Sequence, residues 1–168
     1  MQFVFWWVSP LKTEKMSTTN HPSLTLNEIK VTYSSKVKIS DRIKITSSAS
    51  AAELLRAFWS DNLELREEFN ILLLNRANAV IGWFNVAIGG VSSTIVDPKV
   101  IFSVALKCNA SGIILAHNHP SGNLKPSDAD LNLTKELKNG GQILEIQILD
   151  HIILTSESYF SFADEGII

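Results

Sequence analysis

The stretch His117-Asn-His-Pro-Ser-Gly-Asn-Leu-Lys-Pro-Ser-Asp-Ala-Asp130 decides how this chain is read. Ile113 to His117, just upstream, is a short apolar run of the kind buried inside a sheet, so the histidines stand at a strand end. Asn118 to Pro126 is dense in turn formers and reads as a loop. Ser127 then caps a helix, and Asp130 falls in its first turn, where the helix dipole favours a carboxylate. In extended backbone, residues two apart point to the same side, so His117 and His119 converge on one point and Asp130 faces back toward them. Two imidazoles and one carboxylate make three protein ligands, which leave a fourth tetrahedral position for water. That open position distinguishes catalytic from structural zinc. Singly, each residue has an ordinary role as a satisfied histidine, a dipole-stabilising acid or a cap; their joint spacing is what points to a metal site.

Outward from this stretch, elements alternate. The capping-box spacing Ser50-Ala-Ala-Glu53 predicts a helix from about Ala51 to Trp59, with Leu54, Leu55, Phe58 and Trp59 on one face. The apolar run Ile71 to Leu74, a turn at Arg76 to Asn78, and Val80 to Ile88 predict a hairpin of buried strands, broken by Gly89-Gly90. Asp97 before Pro98 starts a helix that reaches Cys108 and ends near Gly112. The helix capped by Ser127 is expected to run to Lys138 and stop at Gly140-Gly141. Two last strands follow, Ile143 to Leu149 and Ile152 to Thr155. The expected fold is therefore α/β (α+β): one mixed sheet flanked by helices.

The N-terminal part is less regular. Glu28 to Tyr33 and Lys36 to Thr46 carry short alternations that predict half-exposed strands, after a polar lead-in at 17–27. The run from Val4 to Val8, with Trp6 and Trp7, is too short for a signal core, and we expect Met16 as the natural start or residues 1–15 as a loose extension. Residues 1–46 are assigned as an N-terminal extension with short strands, and 47–168 as the domain proper.

Composition sets the outer bounds. A chain of 168 residues with 45% hydrophobic and 8% aromatic residues is long and apolar enough for one packed domain. Its formal net charge of −2 does not make the whole molecule a trap for nucleic acid. Residues 1–51 carry a balance of +4 and the remainder −6; the basic part reads as a solvated surface sooner than a phosphate-binding one. The single cysteine, Cys108, excludes an internal disulfide framework and a cysteine-rich zinc site, and is expected in the core. No apolar run approaches the ~20 residues that span a bilayer, so no membrane partner is expected and the default location is cytoplasmic.

The pattern His-x-His, seven residues, Ser, two residues, Asp resembles the signature of the JAMM (MPN/JAB) metalloproteases, and His117, His119, Ser127 and Asp130 fill every position. The wider strings His-Asn-His-Pro-Ser-Gly, Pro-Ser-Asp-Ala-Asp and Leu149-Asp-His-Ile-Ile153 resemble the RadC-like branch, over a span from about Leu65 to the C-terminus. The resemblance implies a JAMM/MPN-like, cytidine-deaminase-like domain with zinc held by His117, His119 and Asp130. It also implies an upstream glutamate as general base and Ser127 as a donor to the oxyanion. Glu67 fits the glutamate position better than Glu68, and neighbours on a strand face opposite sides, so only one of the two can face the metal. A carboxylate beside the reacting water is what proton abstraction, and return of the proton to a leaving amine, require. If the Ser127 hydroxyl also caps the helix, it is partly committed elsewhere. Asn118 and Ser121 are expected to shape the loop. Asp150-His151 either backs a metal ligand or makes a structural hydrogen bond, with the second favoured.

The function this implies is zinc-dependent hydrolysis of a peptide or isopeptide bond in a peptide or protein substrate. A His-Glu-x-x-His helix site and a Pro-Cys-x-x-Cys deaminase arm are both missing from the sequence. The alternative is a DNA-repair-associated RadC-like protein acting by nucleic-acid or partner binding, a label that comes with the resemblance. The acidic second half of the chain gives it little support. An inactive scaffold is disfavoured because all the ligand positions are filled.

Overall fold

The computed structural model describes residues 32–90 and 94–168. The predicted strand over Glu28 to Tyr33 falls mostly outside these residues, as do the lead-in at 17–27, the apolar run from Val4 to Val8 and Met16.

Five strands form one mixed sheet in the order β2-β1-β3-β4-β5. They are β1 (Glu68–Leu74), β2 (Val80–Ile88), β3 (Gly112–Asn118), β4 (Gln147–Leu154) and β5 (Tyr159–Ser161). Only β3 and β4 run parallel; β1 pairs antiparallel with both β2 and β3. Helix α1 (Ser48–Phe58) covers one face, while α2 (Pro98–Lys107) and α3 (Asp128–Ile143) cover the other. The two central strands β1 and β3 are buried at every position, which is why they read as continuous apolar runs.

Alternation along these strands divides the core in two. Phe69, Ile71 and Leu73 of β1 join Ile113 and Leu115 of β3 against Ile101, Ala105 and Leu137 of α2 and α3. Leu72, Leu74, Ile114 and Ala116 face the other way, onto Ala51, Ala52 and Leu55 of α1. Full burial of one such aliphatic chain contributes roughly 1.5–3 kcal/mol. A helix cap contributes about 1 kcal/mol, so packing of the two layers dominates and the caps set where helices begin.

Five expectations need correction. The hairpin forms, but only β1 is buried: β2 is an edge strand and exposes Trp83, Phe84 and Ile88. Lys36 to Thr46 is not strand: it holds a 3-10 turn at Ile39–Asp41 and a single bridge from Lys44 to Ala79. Its apolar residues Val37, Ile39 and Ile43 are exposed and only Ile45 enters the core, so the alternation has no buried face to serve. Helix α1 begins earlier, capped by Ser47, and Ser50 is its partner in a reciprocal box: each serine hydroxyl accepts from the other residue's N–H. Helix α3 passes through Gly140-Gly141 to Ile143. A Cβ at Gly141 would stand 2.3 Å from the Ile146 carbonyl, and one at Gly140 2.9 Å from the Phe102 ring, so these glycines permit close packing and do not end the helix. The two last strands are one, β4, and a short β5 follows that the sequence pattern does not mark.

Strand β4 carries a bulge opposite β3. Ile113 pairs with Ile148 but Ile114 pairs with Asp150, which leaves Leu149 as an extra residue. One inserted residue reverses the alternation beyond it. As a result His151, and not Asp150, faces the α3 side of the sheet.

Candidate metal centre

The site lies where β3 ends and β1 begins, beside the N-terminus of α3, at the carboxyl end of the parallel pair. His117 is the penultimate residue of β3 and is almost fully buried; His119 follows the strand and is half-buried. Their Nε2 atoms are 3.1 Å apart. Asp130 Oδ1 lies 3.3 Å from His117 Nε2, and Asp130 Oδ2 lies 4.0 Å from His119 Nε2. Among the described residues these three form a group whose ligand atoms all fall within 4.8 Å of one another, and they could hold a metal ion.

The outer partners of each ring define which nitrogen faces inward. His119 Nδ1 donates to the Asn123 carbonyl at 2.5 Å, so its Nε2 carries the lone pair. His117 Nδ1 is engaged with His151 Nε2 at 2.8 Å, which leaves its own Nε2 for the site. The His117 ring is further held by a parallel stack on Phe69, with ring centroids 6.1 Å apart. The expectation for His151 is a structural hydrogen bond in preference to backing a metal ligand; it bonds Thr134 Oγ1 at 2.6 Å and also His117, one of the three residues that could hold a metal.

Asp130 is set by the helix that carries it. Its Oδ2 accepts from the backbone N–H and the hydroxyl of Ser127, each at 2.7 Å, while Ser127 Oγ accepts from Asp130 N–H. The cap of α3 and the orientation of the carboxylate are thus one structure, a capping box with aspartate at its third position. Burial pushes the Asp130 carboxyl up, but a protonated His117, by its hydrogen bond and charge, together with the two Ser127 donors, outweighs it and holds the carboxyl well below its usual range.

The two glutamates part company as strand alternation requires. Glu68 is buried on the α1 face, where its Oε1 accepts from Ser60 Oγ at 2.7 Å and Asn62 Nδ2 at 3.0 Å. Glu67 lines the groove on the α3 side, together with His119, Ser127, Asp130, Thr94 and Lys125. Burial pushes its carboxyl up, the charges of His117 and His119 pull it back, and Asp130 pushes it up again. The groove is open and measures about 620 Å³. A larger recess of about 810 Å³ lies at the opposite end of the strands, lined by Arg76, Lys138 and Gln147, away from these ligand atoms.

Asn118 is not a loop residue. It ends β3 fully buried, and its side chain faces away from the two histidines. Its Oδ1 accepts from Glu68 N–H at 2.7 Å, and its Nδ2 donates to the carbonyls of Leu63 and Arg66 at 2.7 and 2.9 Å. One side chain therefore clamps the segment that delivers Glu67. Sequence reasoning missed this, since an asparagine beside a loop looks like a turn residue; its position between two histidines on a strand was the available signal. Ser121 does stay in the loop, accepting from Asn123 N–H at 3.4 Å. Cys108 caps the end of α2, half-buried against the core. Among the described residues, no helix is long and apolar enough to cross a membrane.

Comparison with known proteins gives one family. Residues 45–167 match the family model described as RadC-like JAB domain. A UPF0758 protein of Flavobacterium johnsoniae is 46% identical over 124 residues, covering 74% of this chain and 53% of that protein. A UPF0758 protein of Aquifex aeolicus is 42% identical over 127 residues, covering 76% and 54%. One from Alkaliphilus metalliredigens is 39% identical over 138 residues, covering 78% and 60%. The chain spans about half the length of the curated relatives it matches, and their names carry no activity.

Proposed function

This chain belongs to the RadC-like JAB domain family, and from that membership and the geometry of the site we infer that it is a zinc-dependent hydrolase of peptide or isopeptide bonds. The observation that carries the reading is the convergence of His117 Nε2, His119 Nε2 and an Asp130 oxygen on one point beside a groove that Glu67 also lines.

The donor set fits zinc. A tetrahedral zinc with donors at about 2.0–2.1 Å holds them roughly 3.3 Å apart, and the separations here are 3.1, 3.3 and 4.0 Å. Both Nε2 atoms carry lone pairs turned toward each other and toward a carboxylate, an arrangement that a cation relieves. Nitrogen and oxygen donors without thiolate suit zinc among the common borderline metals.

When bound, zinc supplies Lewis acidity, polarising a carbonyl and acidifying water. The chain's own residues supply the rest. Glu67 takes a proton from the attacking water and returns it to the leaving amine, a task helped by a carboxyl pushed toward neutral pH. Asn118 fixes the height of Glu67 above the sheet through Glu68, Arg66 and Leu63. Ser127 orients Asp130 first, yet its backbone N–H also serves Oδ2. If the hydroxyl turns its proton to the substrate oxygen, the carboxylate keeps the backbone donor, and this supports Ser127 as the oxyanion donor.

The test is to incubate the zinc-loaded protein with mixed peptides and isopeptide-linked lysine substrates and identify new termini by mass spectrometry. Cleavage is expected, is lost with a chelator, is restored by zinc, and is absent in Glu67→Gln although zinc stays bound. Intact substrates under zinc, or full activity in Glu67→Gln, would contradict the reading.

A further inference from the structure

Behind the ligands runs a closed hydrogen-bond circuit. Thr134 Oγ1 lies 2.6 Å from the backbone carbonyl of Asp130 and 2.6 Å from His151 Nδ1. A carbonyl only accepts, so Thr134 gives its one proton there and accepts from His151 Nδ1–H. His151 Nε2 is then left with a lone pair, and it accepts from His117 Nδ1–H at 2.8 Å. Every direction follows from the far end, and the result is that His117 Nε2 bears the lone pair that faces His119 and Asp130. The circuit starts on the side chain of one metal-binding residue and closes on the backbone of another, through β3, β4 and α3.

We propose that His151 and Thr134 are positioning residues that fix the tautomer and ring plane of His117, and its distance from Asp130, before a metal arrives. The proposal rests on the metal-binding reading above. Three observations bear on it. The Leu149 bulge is what turns His151 to this side of the sheet. His151 is fully enclosed and stacks on Phe162 with centroids 4.6 Å apart, so it cannot swing away. The last acceptor is a backbone carbonyl with no proton to hand on, so the circuit orients the site and does not conduct protons out of it.

Two substitutions at His151 separate positioning from packing. The amide of Gln reaches the place of Nε2 and can accept from His117, whereas that of Asn reaches only the place of Nδ1 and meets Thr134 alone. Zinc affinity, measured by competition with a chromophoric chelator, is expected to fall about 10- to 100-fold in His151→Asn and no more than about threefold in His151→Gln. Cobalt-substituted protein is expected to keep its visible spectrum in His151→Gln and change it in His151→Asn. Thr134→Val, which keeps the shape and removes the hydroxyl, is expected to weaken zinc, and Thr134→Ser to restore it; this pair tests the proposal if the His151 variants fold poorly. Equal affinity in the two His151 variants, or in the two Thr134 variants, would overturn the proposal while leaving the metal site in place. A wild-type protein that binds no zinc would remove the metal reading itself and this inference with it.

Discussion

Asn118 Oδ1 accepts the backbone N–H of Glu68 at 2.7 Å across fifty positions of sequence. Through this bond the strand that presents His117 on one face and leads into His119 also grips, from its other face, the segment that ends in Glu67. The two histidines and Glu67 are thus referred to one rigid element, which is how the sub-ångström placement required of the proposed ligands and base would be kept.

Asn118→Ala removes three hydrogen bonds at a fully buried position and leaves a buried N–H and two carbonyls without their partner. Each such orphan costs about 1–3 kcal/mol, partly recovered by relaxation or water. The expected loss is on the order of 2–4 kcal/mol in urea unfolding. Asn118→Asp is expected to fare no better, because its second oxygen would face two carbonyls. A wild-type midpoint in both variants would show that the clamp is not needed.

Glu67 and Glu68 are expected to respond oppositely to the same change. Glu68→Ala strips the acceptor from Ser60 and Asn62 on the α1 face and is expected to lower stability by about 1–2 kcal/mol. Glu67→Ala relieves a carboxyl that burial disfavours and is expected to leave thermal stability unchanged or raised. Thermal melts of the two metal-free variants decide this. A larger loss in Glu67→Ala would mean that its carboxylate holds the fold and is not held by it.

The metal-free protein is expected to weaken as the solution turns acidic. Burial, and then the charge that His117 carries once protonated, keep His151 neutral far below its ordinary range. The unfolded chain gains a proton at this residue below pH ~6.5, while the folded chain does not. The unfolded state therefore binds more protons, and stability falls as pH drops from about 7 to about 5. His151→Gln is expected to flatten that part of the curve. An identical slope in the variant, measured by urea unfolding across the same pH series, would assign the effect to other groups.

Much of this molecule was legible in the sequence because its strongest signals are local. Continuous apolar runs mark β1 and β3, which are buried on both faces, and the Asp97-Pro98 start of α2 needs no tertiary context. The spacing of His117, His119, Ser127 and Asp130 places all four at one strand end and one helix start, and strand alternation separates Glu67 from Glu68. What escaped depends on distant partners. Gly140 and Gly141 look like a stop unless Phe102 and Ile146 are known to press on them. The alternation at Lys36 to Thr46 looks like strand until its apolar residues are found without a sheet to cover. The Leu149 bulge, and with it the turn of His151 toward His117, exists only in the pairing of β4 with β3.

The most direct measurement is the metal content of the purified protein by inductively coupled plasma mass spectrometry, beside a His117→Ala/His119→Ala double variant. About one zinc per wild-type chain, with none in the variant, is the result expected of an open three-ligand site. A wild-type protein that stays empty after zinc reconstitution, or a variant that binds zinc as well as the wild type, would contradict the central claim.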